Sequence, residues 1–462
     1  GYVWDSAWVC KRENTNFLRL KLLQELADYY DIALSPTLLN SFSREMTGNS
    51  IALKKYSEGR AMMEKLHGKD DLNRAHELLS EAIELDDEFV EARAQYAFSC
   101  LRLGYYDECE EVLEEALEIA DDDGYEKGMI HVYNYFGTLY GQQHKLKKAR
   151  KSLEKALNLL KAFNDYSWES RLLYNLAWVK YLGGEPHEAI TCLDRSKELK
   201  IELEENDSLV LVYNTYSAIY TLLNDFSNAI DYRERASTQL MEQGAHLNAC
   251  RVLVALAGSY EKVGEYDAAV KVLANVESFE EEEFERGKIL LIQGRIAIEK
   301  EDYTTAKTVL KQAEEQYMKM GNNRLLINTY LTFSLMYIKM DDYKKATSYT
   351  ILASEQGNKL RGVDISDLTE SECMSVWTNP QINESDISFV EEKITEFNTA
   401  PAYYAHWYYL SQAYLKFENK SKSDECISIS RILLKESAAC NSDRTHEESM
   451  LNNIWLHREI LG

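Results

Sequence analysis

Apolar positions along this chain fall three and four residues apart in long blocks, the period of amphipathic helices rather than of strands. The blocks come in pairs, and the pair recurs about every 40 residues from near residue 52 to near residue 360. One small residue marks the first helix of each pair: Gly59, Ala97, Gly137, Ala177, Ser217, Ala257, Gly294 and Ser334, at spacings of 38, 40, 40, 40, 40, 37 and 40. Helices approach closely only where side chains are small, so each facing surface needs such a residue. The second helix supplies it twelve positions on, at Cys109, Ala149, Ala189, Ala229, Ala269, Ala306 and Ala346. In the first pair it is Ala75, displaced by a longer turn. Just ahead of this mark stands Tyr106, Leu146, Phe226, Tyr266, Tyr303 or Tyr343, with Pro186 in that place in the fourth pair. Gly104, Gly184 and Gly264 open turns between helices, where Gly adopts left-handed or capping backbone at little cost.

A fixed period of this length predicts a solenoid, in which each helix pair buries its apolar face only against its neighbours. Residues 51–360 are read as eight units. Residues 361–462 are read as degenerate units ending in a capping helix. Within them, 361–386 carries turn residues and weak periodicity, 387–398 one amphipathic helix, and 403–438 a degenerate repeat with Ser411 at the small position, 77 residues beyond Ser334 and close to two periods, so an eroded unit is expected in the gap. The segment Thr445–Leu461 is expected to be the capping helix. Residues 1–50 do not repeat: Tyr2–Val9 alternates like a short strand and Asn14–Leu34 reads as a helix.

The stretches Tyr135–Leu159, Leu172–Leu199 and Val252–Val276 resemble tetratricopeptide repeats at their defining small and aromatic positions. The resemblance covers about two-thirds of the chain and implies an all-α, right-handed superhelical solenoid of antiparallel helix pairs. It further implies a groove that receives protein or peptide ligands. The 40-residue period exceeds the usual 34 of that family, so longer helices or loops are expected. A second resemblance lies in Trp4 or Trp8, Leu23–Gln24, Leu34–Ser35–Pro36, Thr47–Gly48–Asn49 and Tyr56–Ser57–Glu58–Gly59–Arg60. Their order is similar to the junction in bacterial multidomain signalling proteins where a TolB-like α/β domain passes into tetratricopeptide repeats. Proteins of that kind carry an adenylate/guanylate cyclase, Ser/Thr kinase or winged-helix domain upstream. The resemblance implies the C-terminal sensory or scaffolding region of such a protein.

Composition narrows the function. The net charge is −25, from 77 acidic against 52 basic side chains, and no basic stripe is visible. Nucleic acid is therefore not the expected partner. The 31 tyrosines either fill gaps between helices or, in part, line a ligand groove. None of the eight cysteines forms a CxxC pair and no Cys/His set has zinc-ligand spacing, which fits a reducing cytoplasm and predicts no metal and no cofactor. No apolar run reaches membrane-spanning length. No Walker loop, GxSxG, kinase or cyclase signature appears, so the chain is expected to be non-catalytic.

By the family resemblance, the outward stripe of each first helix lines the groove. That stripe gives Asn134, Thr138, Arg171, Tyr174, Trp178, Tyr181, Asn214, Arg251 and Arg295 as the candidate peptide site, with His131, Glu261 and Lys339 on the same stripe. An Asn there can pair with both polar groups of an extended peptide backbone, and the Arg residues can clamp carboxylates. Trp178 is the expected anchor, as an aromatic with nothing to pack on. Two other readings stay open: a small-molecule sensor, which a closed pocket would favour, and a homodimer formed through the aromatic run Tyr403–Tyr409, which an exposed patch there would favour.

Overall fold

The computed structural model describes Glu25 and residues 47–64, 69–276, 283–359, 365–396 and 403–462. The strand and helix expected within residues 2–34 lie outside the described residues. Among those described, the chain forms 22 α-helices and no strand. It divides into two compact units, one ending at Asn206 and one beginning at Asp207.

The first unit holds α1 (Ser50–Glu64), α2 (Lys69–Leu85), α3 (Val90–Leu103), α4 (Tyr106–Asp122), α5 (Glu126–Gln142), α6 (Leu146–Leu160), α7 (Tyr166–Leu182) and α8 (Pro186–Glu202). The second begins with α9 (Leu209–Leu222), α10 (Phe226–Glu242), α11 (His246–Lys262), α12 (Tyr266–Val276), α13 (Glu283–Glu299), α14 (Tyr303–Met320), α15 (Asn323–Lys339) and α16 (Tyr343–Gly357). It ends with α17 (Ile365–Thr378), α18 (Glu384–Glu396), α19 (Tyr404–Lys416), α20 (Lys420–Ala439), α21 (Arg444–Asn453) and α22 (Trp455–Leu461). Odd and even helices pair, and within each unit successive first helices also touch, as α3 does α5 and α13 does α15.

The small-residue register is the packing register. Ala97, Ala177, Ala257 and Ser334 are fully buried, as are all eight marks on the second helices. A Cβ added at Gly137 would lie 2.5 Å from Leu153 Cγ, and one at Gly294 2.5 Å from Leu310 Cδ2. These glycines are therefore required by close approach, not by turn geometry. Tyr106, Leu146, Pro186, Phe226, Tyr266, Tyr303 and Tyr343 are each the first residue of a second helix. Pro186 fits there because the first helical position needs no N–H donor.

The extended period has a simple origin. Within the eight repeats most helices run 17 residues, and a short turn with one left-handed residue commonly follows. Positive φ occurs at residues 104, 124, 144, 164, 184, 204, 224, 244 and 264, and again at 301, 321 and 341. Gly104, Gly184 and Gly264 hold this place as the sequence suggests, but His144, Asn164, Glu204, Asn224, Glu301 and Asp341 do so without glycine's freedom. Left-handed backbone costs an L-residue roughly 1–2 kcal/mol, partly offset by the greater flexibility of Gly when unfolded. Glu301→Gly is thus expected to stabilise the protein by about 0.5–1 kcal/mol, read as a higher denaturant midpoint at unchanged slope.

Three features of the C-terminal third sharpen or correct the expectation of degenerate units and a cap. The weakly periodic stretch at 361–386 contains α17, whose Cys373, Met374, Val376 and Trp377 are buried. The aromatic run is interior: Trp407, Tyr408 and Tyr409 are at most 5% exposed, so it offers no exposed aromatic patch. The expected single capping helix is two, because Ile454 adopts extended backbone (φ −82°, ψ 124°) between α21 and α22.

Candidate functional site

The predicted residues all stand on first helices, but they differ in what they touch. In the first unit, Asn134 is buried and its side-chain oxygen accepts from Asn175 Nδ2 at 2.7 Å, one repeat on. Thr138 donates to the Asn134 carbonyl at 3.1 Å. Arg171 is exposed and its guanidinium lies 5.0 Å from the Trp168 ring centroid. His131 lies tilted against that same ring, centroids 4.2 Å apart, and burial together with the Arg171 and Lys127 charges pushes its pKa down to about 3. Tyr174 and Tyr181 are half-buried. Trp178 is half-buried too, but it does have a packing partner: a Cβ on Gly141 would sit 2.6 Å from its ring. The absence of a side chain at Gly141 makes the slot that holds the indole.

In the second unit, Asn214 is half-buried and Arg251 exposed. Arg295 donates from Nη2 to Glu261 Oε2 at 2.9 Å, while its buried Nε has no hydrogen-bond partner. Lys339 is almost fully buried, 3.6 Å from Glu299 and bonded to the Ile298 carbonyl at 3.1 Å. Burial raises the Glu299 carboxyl pKa, against the pull of Lys339 and the Trp455 backbone N–H.

That last contact belongs to a feature the sequence did not reveal. The C-terminal segment returns across the repeats of the second unit. Asp225, which caps α10 through the Asn228 N–H, also accepts from the Ser442 N–H at 3.1 Å. His446 Nδ1 lies 2.9 Å from Ser227 Oγ. Asn453 donates to the Gly264 carbonyl at 3.1 Å, and the Trp455 N–H donates to Glu299 at 2.9 Å. Lys339 lies 5.2 Å from the Trp455 ring centroid. Four successive repeats therefore hold one segment. Gly264 makes the approach possible, since a Cβ there would meet Asn453 Cβ and the Ser449 carbonyl at 2.9 Å, on backbone of φ +77°.

Beneath the segment lie two cavities that share Glu261, Lys262, Arg295 and Tyr404. One, of about 480 Å³, is lined by Thr221, Arg233, Ser259, Ser437 and Met450 among others. The other, of about 400 Å³, is lined by Glu299, Leu331, Leu335, Met374, Tyr409, Leu456 and His457 among others. His457 is buried, its Nδ1 2.7 Å from the Met450 carbonyl and its Nε2 2.9 Å from the Tyr404 hydroxyl. A carbonyl only accepts, so Nδ1 carries the proton and Nε2 accepts from Tyr404. The sequence signal for this site was faint: His457 and Tyr404 sit in a stretch read as eroded repeat and cap.

The structure also gathers His76, Cys100 and Glu108 from three helices, their ligand-type atoms within 4.8 Å of one another. Sequence spacing hid this trio. His76 Nδ1 is engaged with Ser99 Oγ at 2.8 Å, Glu108 accepts from Tyr96 at 2.6 Å, and burial pushes the Cys100 thiol up to about 12. Those partners account for the arrangement without an ion. The seven described cysteines are free thiols, and no helix among the described residues is long and apolar enough to cross a membrane.

Comparison with known proteins agrees with this architecture. Residues 89–162 and 128–202 match the family model described as Tetratricopeptide repeat, so this part of the chain consists of such repeats. Among solved structures, it is similar to the apo form of the quorum sensor NprR from B. thuringiensis, at 15% identity and a TM-score of 0.52, over 75% of this chain and 99% of that one. It is also similar to a Rap protein complexed with competence and sporulation factor, at 13% identity and a TM-score of 0.54, over 76% and 99%. At that identity the likeness is one of fold: an all-α repeat solenoid. No curated protein sequence matches the chain.

Proposed function

We propose that the chain is a non-catalytic scaffold that binds a protein or peptide on the inner stripes of its first helices, as the sensory or regulatory region of a signalling protein. The observation that carries this reading is the C-terminal segment, which the turn after α11 and the last residues of α13 and α15 already hold. A surface that accommodates one helical segment through side chains and turn carbonyls has the chemistry to accommodate another. The Rap structure, of a similar fold, is a complex with competence and sporulation factor. A nucleotide cyclase or kinase domain remains the output suggested by the order of motifs in the N-terminal residues.

The test is selection from a random peptide library displayed on phage, with the full chain as bait. Selected peptides should lose about tenfold or more in affinity to Trp178→Ala or Asn214→Ala, the effect of removing an anchor worth at least 1.4 kcal/mol. Selected peptides indifferent to both substitutions would overturn the inner-stripe site. A second reading, a small-molecule sensor, draws on the two cavities beneath the C-terminal segment, both of them partly open to solvent.

A further inference from the structure

The second helix of each repeat has a core position four residues after its small mark. In six of the eight repeats a leucine fills it: Leu79, Leu113, Leu153, Leu193, Leu273 and Leu310, each at most 2% exposed. In the repeat formed by α9 and α10 the residue is Arg233, which is half-buried. A guanidinium here is a marked departure, because a leucine stabilises the repeat by burying apolar surface while a charge drawn out of water is unfavourable unless paired. Arg233 is not paired with an acid among the described residues. It donates to Ser259 Oγ, and to Thr221 Oγ1 at 3.0 Å. Burial lowers its pKa to about 10, with no carboxylate opposing the shift.

Arg233 faces the larger cavity together with Lys262 and Arg295. The single carboxylate on that lining is Glu261, already engaged by Arg295. The second arginine therefore brings an unsatisfied buried Nε, and the cavity carries three cations for one anion. This imbalance occurs in a chain with 77 acidic and 52 basic side chains, where acids are the abundant partners. Charge of this kind held apart from available carboxylates is the signature of a site kept for an external anion.

We propose that this cavity binds an oxyanion of the carboxylate or phosphate class, gripped by Arg233 and Arg295. The proposal rests on the ligand-binding reading above and adds the ligand's chemistry to it. Two sources can supply that group: a free small anion, or the terminal carboxylate or acidic side chain of a peptide. The cavity, at about 480 Å³, has room for either. Arg233 was visible in the sequence as the one charged residue in a leucine register; only the cavity gives it a purpose.

The experiment measures binding to the full chain by calorimetry and thermal shift. The probes are citrate, inorganic phosphate, and a short peptide ending in a free carboxylate beside its C-terminal amide. Sodium chloride at matched ionic strength is the control. At least one oxyanion should bind and raise Tm beyond the chloride control. Arg233→Gln and Arg233→Leu should weaken it by about tenfold or more, and Arg233→Lys should retain part of the affinity. A preference for the free peptide over its amide identifies a peptide source; binding of citrate or phosphate alone identifies a free anion. Arg233→Leu restores the repeat's usual residue, so it should also melt higher than wild type without ligand. A merely structural arginine would give the opposite shift. No oxyanion effect beyond chloride, or binding unchanged in both Arg233→Gln and Arg233→Leu, would overturn the site. Library peptides that still bind under that result would leave the scaffold reading standing; oxyanion binding without any selected peptide would do the reverse.

Discussion

Gly137→Val should lower the stability of the first unit by about 3 kcal/mol or more, with Gly137→Ala already destabilising. In most helices a Gly→Ala change gains up to about 1 kcal/mol through propensity. Here the sign reverses, because the new Cβ would lie 2.5 Å from Cγ and 2.6 Å from Cδ2 of Leu153, which is fully buried. Gly258, in the interior of α11, supplies the contrast. Its nearest neighbour would be Ile292 Cδ1 at 3.7 Å, an ordinary contact. Gly258→Ala is therefore expected to raise stability by about 0.5–1 kcal/mol. Denaturant unfolding of the three variants separates packing from propensity. Equal effects of the two Ala substitutions would refute the close-approach account.

Acidification should loosen the C-terminal segment through His457. Burial, with the Lys262 and Arg458 charges, pushes its pKa down to about 4, against the pull of the Met450 carbonyl. An unfolded imidazole titrates near 6.5. As pH falls from about 6.5 to about 4, the unfolded state takes up a proton that the folded state refuses, so stability declines over that window and is unaffected above it. The decline attributable to this residue is up to about 3 kcal/mol. His457→Gln keeps one donor for the Met450 carbonyl and one acceptor for Tyr404 but does not titrate. The pH dependence of its denaturant midpoint should be visibly shallower than that of wild type between about pH 7 and about pH 4.5. Parallel curves would show that the imidazole is not the group responsible.

Both expectations bear on what the sequence could disclose. The pairing of helices was legible because it rests on local rules: a small residue every 40 positions, an aromatic or Pro at the start of each second helix, and helical periodicity. Some of the turns were legible for the same reason, as Gly104, Gly184 and Gly264 announce left-handed backbone. Glu204 and Glu301 do not, because helix geometry on either side imposes the conformation against their preference. α17 was legible only as part of an eroded unit in the two-period gap between Ser334 and Ser411; its bounds were not, since its buried positions are Cys, Met, Val and Trp among polar neighbours, a weak periodic signal.

The candidate site divides along the same line. The inner stripe could be projected from the period, but its couplings could not. Asn134 is tied to Asn175 by a bond between residues 41 apart, and Trp178 finds its slot on a glycine in the preceding repeat. The return of the C-terminal segment is farther still from local rules. Ser442 meets Asp225 across 217 residues and Trp455 meets Glu299 across 156. Hydrogen bonds made by a turn carbonyl or a backbone N–H leave no trace in side-chain pattern, so the plug over the cavities was invisible until the fold was known.

The even spacing of the left-handed turns has a consequence for how such a chain changes length. Between residues 104 and 264 every helix with its turn occupies 20 positions. A crossover between two copies of the gene, misaligned by one repeat, would insert or remove 40 codons and return each small residue to a partner in the same orientation. A slip of one or two codons inside a helix would instead rotate everything beyond it by about 100° per residue and separate Gly137-type positions from their leucines. Whole repeats are thus the natural currency of recombination in this gene, and single-codon insertions within its helices the changes selection would remove.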